Sequence, residues 1–207
     1  MRPLRSQITT DLFDYATLTG ALADYRNVRG KINRLLASGE VIRIKKGLYT
    51  FPDYLRRQPL NECVIANMIY GPSYVSEEFA LAHYGMIPET VVQITSITRR
   101  RPAMFETPVG RFSYDSRLAD DYPVGVCSEN SALGGFLIAT PEKALYDKAA
   151  EDRRLTGDDN LQQYFLDDLR VDSDELRNLN VEILNELESV ARGRMKRVVK
   201  FLREYQR

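Results

Sequence analysis

Apolar positions recur with a helical period over residues 27–38, where Val28, Ile32, Leu35 and Leu36 fall at i, i+4, i+7 and i+8 and so share one face of a helix. Gly39 follows directly, as a helix stop does. Upstream, Asp14-Tyr15-Ala16-Thr17-Leu18 opens a shorter helix that Gly20 is expected to end, and Ala23-Asp24-Tyr25 makes the turn between the two. Beyond Gly39 the period changes to two. Val41-Ile42-Arg43-Ile44 and Leu48-Tyr49-Thr50-Phe51 read as strands flanking Lys45-Lys46-Gly47, a hairpin with glycine at the tight position. Helix, turn, helix and basic hairpin predict a winged helix-turn-helix over residues 1–57.

A polar stretch from 52 to 59, bounded by prolines, reads as a linker to a second domain over residues 58–207. Helices are expected at 62–70 and 77–84, then strands at 91–98, 103–105, 111–114 and 136–139, all rich in β-branched or aromatic residues. Thr140-Pro141-Glu142 opens another helix, with threonine as cap and proline at the first position. Further helices are expected at 161–169, 173–179, 181–191 and 195–205. The fold class is therefore α+β: an N-terminal winged helix-turn-helix, then an α/β domain with a small mixed or antiparallel sheet and a helical C-terminal part.

Charge sharpens this division. The 207 residues carry 29 basic and 29 acidic side chains, but the balance is uneven. Residues 1–57 hold eleven basic groups against five acidic ones, the span from 115 to 188 holds eighteen acidic against seven basic, and the last nineteen residues return to seven basic against Glu204 alone. Basic charge concentrated on one segment is the electrostatic footprint of nucleic-acid binding. No apolar run reaches membrane-span length, and Arg2 and Arg5 are followed by a polar stretch where a signal peptide is apolar. A cytoplasmic protein without membrane association is expected. Cys63, Cys127 and a single histidine supply neither a disulfide framework nor four zinc ligands.

On the helix at 27–38 the face opposite the apolar stripe presents Arg26, Asn27, Gly30, Asn33 and Arg34. Asparagine pairs bidentately with adenine and arginine with guanine, while glycine permits close approach of the backbone. Arg29 and Lys31 flank that face within reach of phosphates, and Arg43, Lys45 and Lys46 extend it onto the hairpin. Glu40 is the only acid between Asn27 and Lys46, whereas an ordinary solvated helix mixes signs. Arg99-Arg100-Arg101, at a strand end, is a second phosphate contact or an exposed hairpin end. The last helix carries Met195, Val198, Val199 and Leu202 on one side, expected to dock on its own chain, and Lys196, Arg197, Lys200, Arg203 and Arg207 on the other.

Gly71-Pro72-Ser73-Tyr74-Val75-Ser76, Ala80-Leu81-Ala82-His83-Tyr84-Gly85-Met86-Ile87-Pro88-Glu89, Ile94-Thr95-Ser96-Ile97-Thr98, Phe105-Glu106-Thr107-Pro108-Val109-Gly110-Arg111-Phe112 and Ile138-Ala139-Thr140-Pro141-Glu142-Lys143-Ala144-Leu145 resemble, in order and spacing, motifs of the AbiEi antitoxins of bacterial AbiE-type systems. The likeness spans roughly residues 25 to 150, and no family motif maps onto the segment after Glu151. The resemblance implies a repressor of its own operon, acting on inverted-repeat operator DNA. It also implies a type IV antitoxin that counteracts a nucleotidyltransferase-like toxin without a required stable complex, and a following domain that serves dimerisation or antitoxicity.

No enzymatic motif stands out. Around Gly30-Lys31 the first P-loop glycine is replaced by Tyr25 and the metal-binding hydroxyl by Ile32. Asp172-Ser173-Asp174 reads as a helix start, and His83 as a hydrogen-bonded packing residue. The expectation is a non-catalytic protein with no cofactor and no metal. The alternative is a protein-interaction module, or a stand-alone winged-helix regulator with no toxin partner.

Overall fold

The computed structural model describes residues 3–155 and 160–206; Arg2, Asp158, Asp159 and Arg207, counted above for charge, lie outside them. Within these bounds the chain is α+β, with helices around two sheets of three and six strands.

The first part runs α1 (Leu4–Gln7), β1 (Leu12–Asp14), α2 (Tyr15–Ala21), α3 (Val28–Ala37), β2 (Ile42–Lys45) and β3 (Leu48–Thr50). Asp14 caps α2, its Oδ1 accepting from the Thr17 N–H at 2.8 Å, and that helix continues through Gly20 instead of ending there. The expected hairpin forms around Gly47, whose φ of +90° suits a residue without a Cβ. Sequence reading did not foresee β1, which pairs antiparallel with β3 and makes the sheet β1-β3-β2.

Strand alternation gives this small sheet two buried faces. Phe13, Tyr49 and Phe51 pack against Leu18, Ile32 and Leu35 of the helices. The opposite parity, Leu12, Ile44 and Leu48, joins the larger core that fills the rest of the molecule. The stretch expected as a linker is also fastened. Asp11, 3% exposed, accepts from Arg5 at 2.6 Å and from the backbone N–H groups of Arg57 and Gln58, while Arg5 also donates to the Leu55 carbonyl at 2.8 Å.

The second part continues with α4 (Glu62–Ile69), β4 (Ser73–Val75), α5 (Glu77–His83), β5 (Gln93–Thr98), β6 (Ala103–Thr107), β7 (Gly110–Ser116), β8 (Val126–Ser131), β9 (Gly134–Ala139) and α6 (Pro141–Glu151). Its sheet has the order β6-β7-β5-β4-β9-β8 and is mixed: β5 with β7 and β4 with β9 are parallel, the other pairs antiparallel. Register fixes the faces. Val75, Ser96 and Tyr114 are cross-strand neighbours, and the Tyr114 hydroxyl donates to the Ala66 carbonyl of α4 at 2.6 Å. On the opposite face Tyr74, Ile97 and Asp115 align, and the Tyr74 hydroxyl reaches Asp147 of α6 at 2.9 Å. The sheet is thus held between α4 and the α5–α6 pair.

Thr140 caps α6 with Pro141 in its first turn, as expected. The helical remainder comprises α7 (Leu161–Gln163) leading into a wider turn over Tyr164–Asp168, then α8 (Ser173–Arg177), α9 (Val181–Val190) and α10 (Arg194–Glu204). Met195, Val198, Val199 and Leu202 of α10 are buried against α9 and α6, while Lys196, Arg197 and Lys200 remain exposed.

Candidate nucleic-acid interface

The apolar stripe of α3 sinks Ile32 and Leu35 into the first core, which turns the opposite face outward. Arg26, Arg29, Asn33 and Arg34 are exposed there. Arg34 lies along its helix, its Nε donating to the Gly30 carbonyl at 3.3 Å. Lys31 folds back over the Tyr25 ring at 5.5 Å.

Asn27 caps its own helix. Its Oδ1 accepts from the Gly30 N–H at 2.8 Å and caps α3, satisfying one of the free donors at the helix start. The cap folds so closely that a Cβ on residue 30 would stand 2.8 Å from Asn27 Nδ2. A side chain at residue 30 would thus crowd the Asn27 cap. Asn27→Ala is expected to lower stability by about 1 kcal/mol, read as a lower urea midpoint at unchanged m-value; an unchanged midpoint would show that the cap contributes nothing.

Between α3 and the hairpin lies a cleft of about 580 Å³. Arg29 and Asn33 line it from α3, Arg43, Lys46 and Gly47 from the hairpin, and Tyr15 from the start of α2. No acidic side chain lines it. Arg29, Arg43 and Lys46 form no ion pair among the described residues, so their charge is uncompensated. An open groove with three cations and a half-exposed tyrosine suits a phosphodiester backbone by charge and by shape. Tyr15 was not anticipated. Its position directly after the Asp14 cap, ahead of the buried stripe, was the available signal.

Lys45, expected in the same surface, points elsewhere. The register of the hairpin shifts between Arg43 and Lys45, and such a bulge re-aims the side chain beyond it. The Lys45 ammonium donates to the Ile69 carbonyl at the end of α4 and lies 6.0 Å from the Phe105 ring centre.

The three arginines at 99–101 are exposed, but not at a hairpin end. They lie on the connection from β5 to β6, and β7 sits between those two strands in the sheet. Arg99 covers the Tyr122 ring at 5.3 Å. Arg100 covers Tyr70 at 4.6 Å and donates to the Gly71 carbonyl at 3.2 Å.

A second concentration of charge, unforeseen from sequence, is sealed inside the second part. Lys143 and Asp147 sit one turn apart on α6, wholly buried and 3.1 Å from each other. Asp147 also accepts from the hydroxyls of Tyr74 and Ser76 and faces Arg117 at 3.5 Å. Asp121 accepts from Arg117 at 3.2 Å and from Tyr146 at 2.7 Å, and Lys143 donates to the Asp121 carbonyl at 2.7 Å. Burial pulls the Lys143 pKa below its ordinary value, against the opposing pull of Asp147. For Arg117 burial acts the same way, but Asp147 and Asp121 outweigh it and the net shift is upward. Nearby, Glu77 is 4% exposed with a φ of +56°, and burial, aided by Asp115, drives its carboxyl well above the usual range.

His83 bonds Glu129 at 3.1 Å and packs edge-on to Tyr84. Asp172 caps α8, accepting from the Asp174 N–H at 2.7 Å. Among the described residues no cluster of three or more His, Cys, Asp or Glu side chains is placed to hold a metal ion, and no helix is long and apolar enough to cross a membrane. No protein-family model matches the chain, and no curated protein matches it either.

Proposed function

We propose that this chain is a cytoplasmic, non-catalytic DNA-binding regulator whose α2, α3 and hairpin act as a winged helix-turn-helix. One observation carries the reading: the acid-free cleft in which Arg29, Arg43 and Lys46 stand uncompensated. In this docking α3 enters the major groove, Arg34 and Asn33 face base edges, and the cleft cations grip the adjoining backbone. Lys143, Arg117, Asp147 and Asp121 inside the second part are engaged with one another, which supports a structural role for these four over a catalytic one.

The resemblance of the 71–145 motifs to AbiEi antitoxins extends the proposal. The chain represses its own operon by binding inverted repeats as a homodimer, two-fold protein symmetry matching two half-sites. It also counteracts a nucleotidyltransferase-like toxin without needing to hold it.

The test is a mobility-shift titration on the DNA immediately upstream of the gene, with an unrelated duplex as competitor, at two salt concentrations. Retardation that the competitor does not relieve and that weakens steeply with salt supports the reading. No retardation at low salt with folded protein overturns it and favours an interaction module. In the same assay Arg34→Ala is expected to relax preference for the operator over the competitor by roughly 1–3 kcal/mol; unchanged discrimination would remove Arg34 from base readout.

A further inference from the structure

We propose that the arginine loop at residues 99–101 continues the DNA-contacting surface from the hairpin onto the second part of the molecule, forming one fixed track of phosphate contacts. This rests on the DNA-binding reading above and assigns a further surface to it.

The hairpin and the loop are linked in the structure. The Lys45 ammonium lies 6.0 Å from the Phe105 ring, the Phe105 and Tyr70 rings are 5.6 Å apart, and the Arg100 guanidinium lies 4.6 Å from Tyr70. These contacts hold the loop against the hairpin on the side that Lys45 faces, so that its arginines extend the basic surface of the hairpin.

Two of the cations have a local explanation. Lys45 and Arg100 donate to the carbonyls of Ile69 and Gly71, where the end of α4 carries partial negative charge. Arg99 and Arg101 have no such assignment. Arg99 rests on the Tyr122 ring, and Arg101 offers only its backbone carbonyl, to the Tyr70 hydroxyl at 3.2 Å. Among the described residues neither forms an ion pair. Three successive exposed arginines without a carboxylate partner concentrate positive charge on the loop, which favours an anion lying across them. Binding of Lys45 to α4 supplies the remaining element, because it fixes the hairpin relative to the loop.

The experiment measures affinity of the full chain for its upstream duplex across a salt series, comparing wild type with Arg99→Ala/Arg101→Ala, Arg99→Lys/Arg101→Lys, Lys46→Ala and Arg197→Ala. Removing one cation from a phosphate should flatten the log–log salt slope by about 0.9. The double alanine variant is expected to lower the slope by roughly 2 units and to weaken evenly on any sequence, while the double lysine variant and Arg197→Ala, on α10, keep the wild-type slope. If Lys46→Ala flattens the slope and the double alanine variant matches Arg197→Ala, the loop does not touch DNA and the inference fails alone. If wild type does not bind at low salt, the DNA-binding reading fails and the inference with it. A flattened slope in the lysine variant as well would assign the effect to packing on Tyr122 and overturn the inference.

Discussion

Replacing Asp147 with alanine is expected to cost roughly 3–5 kcal/mol, because it strands a buried ammonium without its counter-charge. Lys143 has no exposed surface, so water cannot take over from the carboxylate. The hydroxyls of Tyr74 and Ser76 lose their acceptor in the same step, and each buried polar group left unpaired adds to the cost. A domain of ordinary stability has only about 5–15 kcal/mol in total, so the variant sits near the edge of folding. A companion variant keeps the test decisive. Lys143→Met/Asp147→Leu removes both charges and fills the space with apolar atoms, and replacements of this kind are often neutral or stabilising. Urea midpoints should therefore run wild type highest, the double variant below it by the cost of leaving the Tyr74 and Ser76 hydroxyls and Arg117 without Asp147, and Asp147→Ala lowest. A single variant within about 1 kcal/mol of wild type would mean that the network tolerates an unpaired lysine and does not hold α6 to the sheet.

The second large effect is on affinity. Arg29→Ala/Arg43→Ala/Lys46→Ala strips the cleft of its cations without touching a buried side chain, since Arg29, Arg43 and Lys46 are all exposed. Stability should stay within about 0.5 kcal/mol of wild type. Three phosphate contacts correspond to a fall of about 2.7 in salt slope, or roughly 500-fold in affinity at 0.1 M salt. Competition titrations at several salt concentrations measure both quantities. A variant that binds like wild type, with the same slope, would remove the cleft from the interface.

What the sequence revealed and what it hid divide along physical lines. The α3 stripe, the hairpin at Gly47 and the Thr140-Pro141 start of α6 are local: each follows from a few adjacent residues and their period. The strand at Leu12–Asp14 is too short to show a period. The one at Val126–Ser131 contains Ser128, Glu129 and Asn130, poor strand formers placed by pairing with β9. Helical phase assigned Asn27 to the outer face but could not say that its amide bends back onto Gly30; its position just before the helix, where asparagine is favoured, was the overlooked sign. Alternation likewise placed Lys45 with Arg43, and a single bulge undid that. The pair Lys143 and Asp147 was legible in principle, as opposite charges four residues apart among Ala144, Leu145 and Tyr146, but depth of burial is a property of the whole fold.

The outer face of the small sheet, where Leu12, Ile44 and Leu48 enter the larger core, bears on how this molecule can be engineered or evolve. Residues 1–57 carry the cleft, yet cut free they would present an apolar surface to water in place of an interior, the kind of patch that drives association. The segment is thus a poor candidate for transplantation into another protein as a ready-made reader of DNA. Changes in the sheet partner that covers it would be transmitted to the hairpin. A lineage that exchanged its second part would have to rebuild this seam before the first part worked again.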